Sequence, residues 1–356
     1  MTGEASEDVI IRREGRAGRI TMNRPKALNA LTYSMTLAID DALRRWEQDP
    51  EVTVVILDGA GGRALCAGGD VRAIYDQGSK ASAFARKFWA DEYRLNAYIS
   101  RYPKPYVAFM DGIVMGGGIG LSAHASHRIV TERSQLAMPE TGIGLIPDVG
   151  GTWLLAHAPG ETGVYLGLVG ERMRGAGTMF AGFADTFLPS ARLPELAAAL
   201  GETTDAAAVD SIIKGFSEAP PPSDLASQAS EIDAAFRFDS VEAIRAALQD
   251  MDSDWARKTL SDLDHRSPLA LKLTLAAIRN ARKLSSLEEA LNVEYRLTVR
   301  LLEHGEFLEG VRALLVDKDK SPKWNPPRLE EVTDEMVAQF LSPLPESEAL
   351  ALAPPA

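Results

Sequence analysis

Three segments carry residue types that can do chemistry. Two are glycine clusters, Gly59-Ala-Gly-Gly-Arg-Ala-Leu-Cys-Ala-Gly-Gly-Asp70 and Asp111-Gly-Ile-Val-Met-Gly-Gly-Gly-Ile-Gly120. Glycine lacks the Cβ that keeps a ligand off the backbone, so paired glycine-rich turns can aim free N–H groups at one point. Two such donors meeting on one oxygen make an oxyanion hole. Tight turns and close helix packing are the other use of such clusters, but three consecutive glycines opening a helix cost roughly 1 kcal/mol each against alanine. The third segment, Ala137-Met-Pro-Glu-Thr-Gly-Ile-Gly-Leu-Ile-Pro-Asp-Val-Gly-Gly-Thr-Trp153, places Glu140 and Asp148 at the two ends of an apolar, glycine-bearing loop. Burial there raises carboxyl pKa values and can hold one acid and one base apart in protonation. Read alone, the segment also fits a solvated Glu140 and an Asp148 that caps a helix beginning near Val149.

Other chemistries find no support. Neither glycine cluster satisfies G-x-x-x-x-G-K-[ST], and no G-x-G-x-x-G lies between a strand and a helix with an acid placed for a ribose. Ser122, in Gly120-Leu-Ser-Ala-His124, lacks the second glycine of a nucleophile elbow. The histidines at 124, 127, 157, 265 and 304 have no metal-ligand spacing, so no metal site is expected.

The elements that must position these segments alternate strand and helix. Val9 to Arg13 and Arg19 to Met22 read as a hairpin. From Thr32 to Gln48, Met35, Ile39, Ala42, Leu43 and Trp46 recur at helical spacing with Thr32 as N-cap. Val52 to Leu57 and Pro105 to Met110 are buried-strand runs on either side of a long helical stretch, Ser82 to Ser100. Further strands are expected at Arg128 to Thr131 and Leu136 to Met138. Beyond about residue 200 the strand signals stop. Amphipathic helices follow at Ala206–Phe216, Asp224–Phe236, Val241–Met251, Trp255–Leu263, Pro268–Arg282, Leu287–Glu303, Phe307–Leu315 and Leu329–Phe340. Ser321-Pro-Lys-Trp-Asn-Pro-Pro327 reads as a turn-rich connection, and Ala349 to Ala356 as a frayed tail.

The chain has 356 residues, 46 % of them hydrophobic and 25 % charged, which fits one or two globular domains with a real core. Thirty-eight basic against 50 acidic side chains leave a formal charge of -12, which disfavours nucleic acid or an anionic membrane as partner. One cysteine, Cys66, forbids an internal disulfide and suits a reducing compartment. The acidic start, Met1 to Asp8, has neither a signal nor a transit pattern, and a cytoplasmic location is the expectation.

Together the three segments resemble the crotonase (enoyl-CoA hydratase/isomerase) superfamily, in order and spacing, from Asn23-Arg-Pro-Lys-Ala-Leu-Asn-Ala30 through Gly151. The similarity is greatest to its 3-hydroxyisobutyryl-CoA hydrolase branch, through Cys66-Ala-Gly-Gly-Asp70, Met115-Gly-Gly-Gly-Ile-Gly120, Met138-Pro-Glu-Thr141, Pro147-Asp-Val-Gly-Gly151 and Phe307-Leu-Glu-Gly-Val-Arg-Ala-Leu-Leu-Val-Asp-Lys-Asp-Lys-Ser-Pro-Lys-Trp324. The resemblance implies an α/β fold, a spiral of β-β-α units forming a catalytic core over 1–205 and an all-helical C-terminal region over 206–356, with an acyl-CoA thioester bound between them. It implies an oxyanion hole from the backbone N–H groups of Gly69 and Gly117, and chemistry by Glu140 and Asp148. A hydratase of the superfamily carries a second glutamate where this chain has Gly120, which counts against hydration. Glu92, in Phe88-Trp-Ala-Asp-Glu-Tyr-Arg-Leu-Asn96, corresponds to a substrate-contacting residue and could accept a hydrogen bond from a 3-hydroxyl; without the family it reads as an exposed helical glutamate.

The implied activity is hydrolysis of a short 3-hydroxyacyl-CoA, first of all 3-hydroxyisobutyryl-CoA in valine catabolism, with Glu140 as nucleophile or general base and Asp148 moving a proton. No cofactor is expected, CoA being part of the substrate, and trimers are common in the superfamily. Two competing readings are an enoyl-CoA hydratase or isomerase and a non-catalytic acyl-CoA binder. Cys66, three residues before Gly69, is expected to be a small buried filler.

Overall fold

The computed structural model describes residues 8–354; the acidic stretch over 1–7 lies outside them. Ten strands precede the helical half: β1 (Val9–Glu14), β2 (Ala17–Met22), β3 (Val54–Gly59), β4 (Ala64–Cys66), β5 (Tyr106–Met110), β6 (Ile113–Met115), β7 (His127–Val130), β8 (Gln135–Ala137), β9 (Met173–Arg174) and β10 (Thr186–Phe187). They form a six-stranded sheet in the order β1-β2-β3-β5-β7-β10 and a four-stranded sheet in the order β4-β6-β8-β9. The pairs β3/β4, β5/β6 and β7/β8 each send one strand to each sheet, which is the spiral of β-β-α turns that the motifs imply. The β1–β2 hairpin is antiparallel, whereas β2–β3, β3–β5 and β5–β7 are parallel, with Val55 opposite Tyr106 and Val107 opposite His127.

The chain forms two compact units that do not follow chain order. The first comprises Met1–Asp70, Arg94–Leu136 and Met173–Asp224, and the second Val71–Tyr93, Ala137–Arg172 and Leu225–Ala356. The change near residue 205 is therefore one of secondary structure, whereas the segment with Glu140 and Asp148 groups with the later helices. In the first unit, Ala17, Val54, Ile56, Val107, Phe109 and Ile129 point to one face of the larger sheet. There they meet Leu193, Leu196, Leu200, Val209 and Ile213 from two helices, Leu193–Glu202 and Val209–Phe216. Continuous apolar runs are required because a parallel sheet is covered on both faces.

The second unit is built from helices, including Gly151–Ala156, Thr162–Val169, Pro268–Ala281, Leu287–His304 and Glu306–Val311. Most helix starts are those the sequence predicts: Thr32, Ser240, Ser253, Ser267 and Ser286 each accept the N–H three residues on. One alternative reading and one expectation fail. The helix after Asp148 begins at Gly151 with Gly150 as its N-cap, so Asp148 is not a cap. The tail is not frayed up to Leu352: Leu350 is buried, and Asn292 exchanges two hydrogen bonds with the Leu352 backbone.

Candidate active site

The two glycine clusters belong to the first unit, and each contains a strand. Strands β4 and β6 are parallel neighbours, so the loops leaving them, through Gly69 and through Gly117, emerge on the same side of the small sheet. Leu31 locks the first loop: its N–H donates to Gly68 O and its carbonyl accepts Asp70 N–H, both at 2.8 Å. Alternation along a strand then turns the Gly69 N–H to the other side. Gly117 is the first residue of the helix Gly117–Ser122, where backbone N–H groups have no partner within the helix. Close approach is the reason for the next glycine, because a Cβ on Gly118 would lie 2.3 Å from the carbonyl oxygen of Cys66. Cys66 itself is fully buried, and its thiol donates to Gly68 O at 3.5 Å. Arg24, near the same loop, is committed to Asp70 at 3.0 Å and to Ala30 O.

In the second unit four acids from distant parts of the chain converge: Glu92, Glu140, Asp148 and Glu294, each at most 6 % exposed. Glu92 and Tyr93 stand on the helix Ala81–Ser100, and the helix Leu287–His304 packs against that stretch through a Tyr93–Tyr295 edge contact and a bond from the Tyr295 hydroxyl to Arg86 O. Glu140 opens a single 3-10 turn, Glu140–Ile143. The C-terminal motif supports that turn from behind. A Cβ on Gly310 would fall 2.3 Å from Ile143 C, and one on Gly144 2.4 Å from Glu306 O, so only glycine admits this contact. Phe307 closes edge-on over Trp89. Asp148 receives the Tyr93 hydroxyl at 2.6 Å, whereas Glu294 accepts Gly150 N–H, Thr152 N–H and the Thr152 hydroxyl. Glu92 Oε1 and Glu140 Oε2 are buried with no hydrogen-bond partner within the protein, and buried polar atoms are ordinarily hydrogen-bonded.

No cation pairs with these four acids among the described residues, so their charges are set by burial and by one another. Burial, and then the Asp148 charge, raise both Glu92 and Glu140 well above the usual carboxylate range. Burial raises Asp148 only to about 6, because the Tyr93 hydroxyl favours its ionised form. Glu294 is pushed up to about 7 by burial and held there by its three donors. The cluster therefore carries its negative charge on Asp148, and above about pH 7 also on Glu294, and keeps Glu140 and Glu92 toward their protonated forms. Such a set holds one proton acceptor beside two acids that can donate. Among the described residues no group of three His, Cys, Asp or Glu side chains is arranged to hold a metal ion.

Glu92, Glu140 and Asp148 thus fall in one cluster of the second unit, and Gly69 and Gly117 on neighbouring loops of the first. Tyr93, Thr152 and Glu294 are additions. Glu294 was detectable: in Leu287–His304 the buried positions Leu287, Ala290, Leu291, Leu297, Thr298 and Leu301 form one stripe, and Glu294 falls on it. An acid on an apolar stripe signals a buried charge.

Comparison with known proteins identifies the family. The profile of the enoyl-CoA hydratase/isomerase family matches residues 17–341. The mitochondrial 3-hydroxyisobutyryl-CoA hydrolase of Xenopus tropicalis is 42 % identical over 98 % of this chain and 92 % of its own length, and that of Homo sapiens 40 % identical over 97 % and 91 %. Two solved structures superpose with a TM-score of 0.91 at 46 % identity: a carnitinyl-CoA dehydratase from Mycobacterium thermoresistibile, covering 96 % of this chain and 98 % of that one, and an enoyl-CoA hydratase from Rhodobacter sphaeroides 2.4.1, covering 97 % and 100 %. With the spiral of β-β-α turns, the paired glycine loops and a family match that begins in β2 and ends in the last helix, the chain belongs to the enoyl-CoA hydratase/isomerase family.

Proposed function

We propose that this enzyme hydrolyses the thioester of a short 3-hydroxyacyl-CoA, 3-hydroxyisobutyryl-CoA first of all, to the hydroxy acid and CoA. The observation that carries the reading is the acid pair. Asp148, bonded to the Tyr93 hydroxyl, and Glu140, whose Oε2 is unpartnered, are buried in one cluster where burial and the Asp148 charge raise Glu140, while Gly120, where a hydratase needs a carboxylate, offers none. The curated relatives named as 3-hydroxyisobutyryl-CoA hydrolases support the same substrate. The hydratase and dehydratase titles of the solved neighbours belong to those proteins; hydration here would lack its second acid.

In the proposed reaction Asp148 takes the proton of Glu140, and the freed Glu140 carboxylate attacks the thioester carbon. The carbonyl oxygen gains a charge that the Gly69 and Gly117 N–H groups receive, each worth roughly 3 kcal/mol in comparable sites. Collapse breaks the C–S bond, and Asp148 returns the proton to the leaving thiolate. Water, deprotonated by Asp148, then attacks the Glu140 carbonyl of the anhydride; the acyl carboxylate is expelled and takes the proton back from Asp148 to leave as the hydroxy acid, and Glu140 recovers its carboxyl group with one oxygen from water. Glu92, kept protonated, can both donate to and accept from the 3-hydroxyl. Single turnover in oxygen-18 water, followed by peptide mass analysis, tests the route. Label in Glu140 supports attack by its carboxylate, and label confined to the hydroxy acid overturns the step in which water attacks the Glu140 carbonyl. Release of CoA from 3-hydroxyisobutyryl-CoA, measured against crotonyl-CoA hydration, tests the activity; hydration without CoA release would sink the reading.

The proposal includes no cofactor, no nucleic-acid partner, a homo-oligomer such as the trimers common in the superfamily, and a cytoplasmic location. Among the described residues no helix is long and apolar enough to cross a membrane. The vertebrate relatives are named as mitochondrial, so fractionation of the native cell is the test of compartment.

A further inference from the structure

Of the four clustered acids, the proposed reaction leaves one without a task. Glu294 is fully buried, yet its carboxylate is spent on backbone: Oε2 accepts Gly150 N–H at 2.7 Å, and Oε1 accepts Thr152 N–H at 2.8 Å together with the Thr152 hydroxyl. All three donors follow Asp148 within four residues. That turn is contorted, because Val149 has φ +54° and Gly150 φ +82°. A β-branched residue rarely adopts positive φ, and such a conformation persists only when its surroundings hold it. Gly151 N–H closes the turn on Asp148 O at 2.7 Å, and Tyr93 fixes the Asp148 carboxylate from the other side.

We infer that Glu294 is a positioning residue: its carboxylate clamps the Val149–Thr152 turn and so holds Asp148 toward Glu140. This inference rests on the roles proposed above for those two acids. The clamp is complete only with Glu294 ionised, since a protonated carboxyl oxygen facing an N–H forfeits that bond. The titratable groups coupled to Glu294 are Asp148, Glu140 and Tyr93. One turn to either side on its own helix stand Ala290, Leu291, Leu297 and Thr298, all buried and none charged. Of the charged groups around it, Asp148 is the one that moves it, and the Thr152 hydroxyl is the largest influence holding it ionised.

The test uses the full chain and 3-hydroxyisobutyryl-CoA. Thr152→Val keeps the side-chain shape and deletes one donor, so Glu294 protonates more readily. The acid limb of the kcat profile then moves up by about 0.5–1 pH unit, the worth of one hydrogen bond, with KM unchanged. Thr152→Ser, which restores the hydroxyl, returns the limb to its wild-type position. Glu294→Gln sets an amide N–H against a backbone N–H and lowers kcat by about 10²-fold, the loss expected when a reacting group is displaced by about 1 Å. A folded Thr152→Val with the wild-type limb overturns the inference, and so does a folded Glu294→Gln with the wild-type kcat. If Glu294→Gln does not fold, the Thr152 pair decides. If the wild-type chain releases no CoA, it is the hydrolase reading that has failed. The clamp is then judged by hydrogen exchange at the Gly150 and Thr152 amides, which is faster in Thr152→Val if the clamp exists and unchanged if it does not.

Discussion

The glycine loops and the acid cluster are built on opposite principles. The loops take their donors from the backbone of two short segments, 59–70 and 111–120, and their geometry is fixed by neighbouring parallel strands and by close contacts such as Gly118 on Cys66. The acid cluster takes side chains from four places, around residues 92, 140, 148 and 294, and its properties come from mutual charge in a dry setting. A backbone donor is indifferent to pH and can be removed only by substitution with proline. A buried acid can be neutralised by a single atom exchange, and its state follows its neighbours. The two regions are therefore separable by experiment.

The largest effect is expected in the cluster. Glu140→Gln removes the proposed nucleophile and should lower kcat by about 10³–10⁴-fold, within the range of lost acid–base groups, with KM little changed. In the wild type, activity should fall as pH drops from about 7 through about 6, because first Glu294 loses the charge that completes the proposed clamp and then Asp148 the charge proposed to accept the first proton. An acid limb centred near 4 would instead mean a solvated Asp148. The loops should respond more weakly and without a pH signature. Gly117→Pro deletes one N–H at a first helical position, where proline is well tolerated, and the expected loss is about 10²–10³-fold in kcat with an unshifted pH profile. A moved profile would show that the two regions are not independent.

The same contrast decides what was legible in the sequence. The glycine loops could be read because their signal is local: consecutive glycines between a strand and a helix have few explanations, although the strands β4 and β6 inside them, three residues each, were too short to stand out. Glu140 and Asp148 were legible as a pair because one loop carries both. Tyr93 and Glu294 were not, since the contact of each with the Asp148 loop spans 55 and 144 residues of chain, which no local pattern records. The Thr32 cap followed from capping chemistry, whereas the Leu350 to Leu352 tail did not, because its order depends on Asn292 in a distant helix. Local backbone geometry leaves a sequence signature; convergence of distant side chains leaves one only where a polar residue interrupts an apolar stripe.

Stability should separate the regions again, with a smaller effect of opposite sign to activity. Folding lifts Asp148 from 3.8 to about 6. A carboxyl with a raised folded pKa favours the folded state most below its unfolded value, and that contribution is lost as pH rises from 3.8 through about 6. At pH 8 the buried charge thus costs about 3 kcal/mol, at about 1.4 kcal/mol per pH unit. Asp148→Asn should accordingly be the more stable protein by up to that amount at pH 8 and show no advantage at pH 4, by urea unfolding at both. An equal advantage at both pH values would place its origin in packing. Glu92→Gln should move in the same direction, since burial and the Asp148 charge raise Glu92 too.

The smallest change is expected where reactive chemistry would at first sight be sought. Cys66 is the single thiol of the chain and lies three residues before Gly69, but it is fully buried under Gly118 and its Sγ–H points to Gly68 O. A fully buried thiol is shielded from substrate and solvent, so it is a poor nucleophile. Cys66→Ala removes one sulfur from a packed turn and should lower stability by about 1 kcal/mol while kcat stays within about twofold of wild type. Alkylating reagents at neutral pH should leave the native enzyme active. A folded Cys66→Ala without activity would transfer the covalent step from Glu140 to the thiol, and the glycine loop would then hold both nucleophile and oxyanion donors.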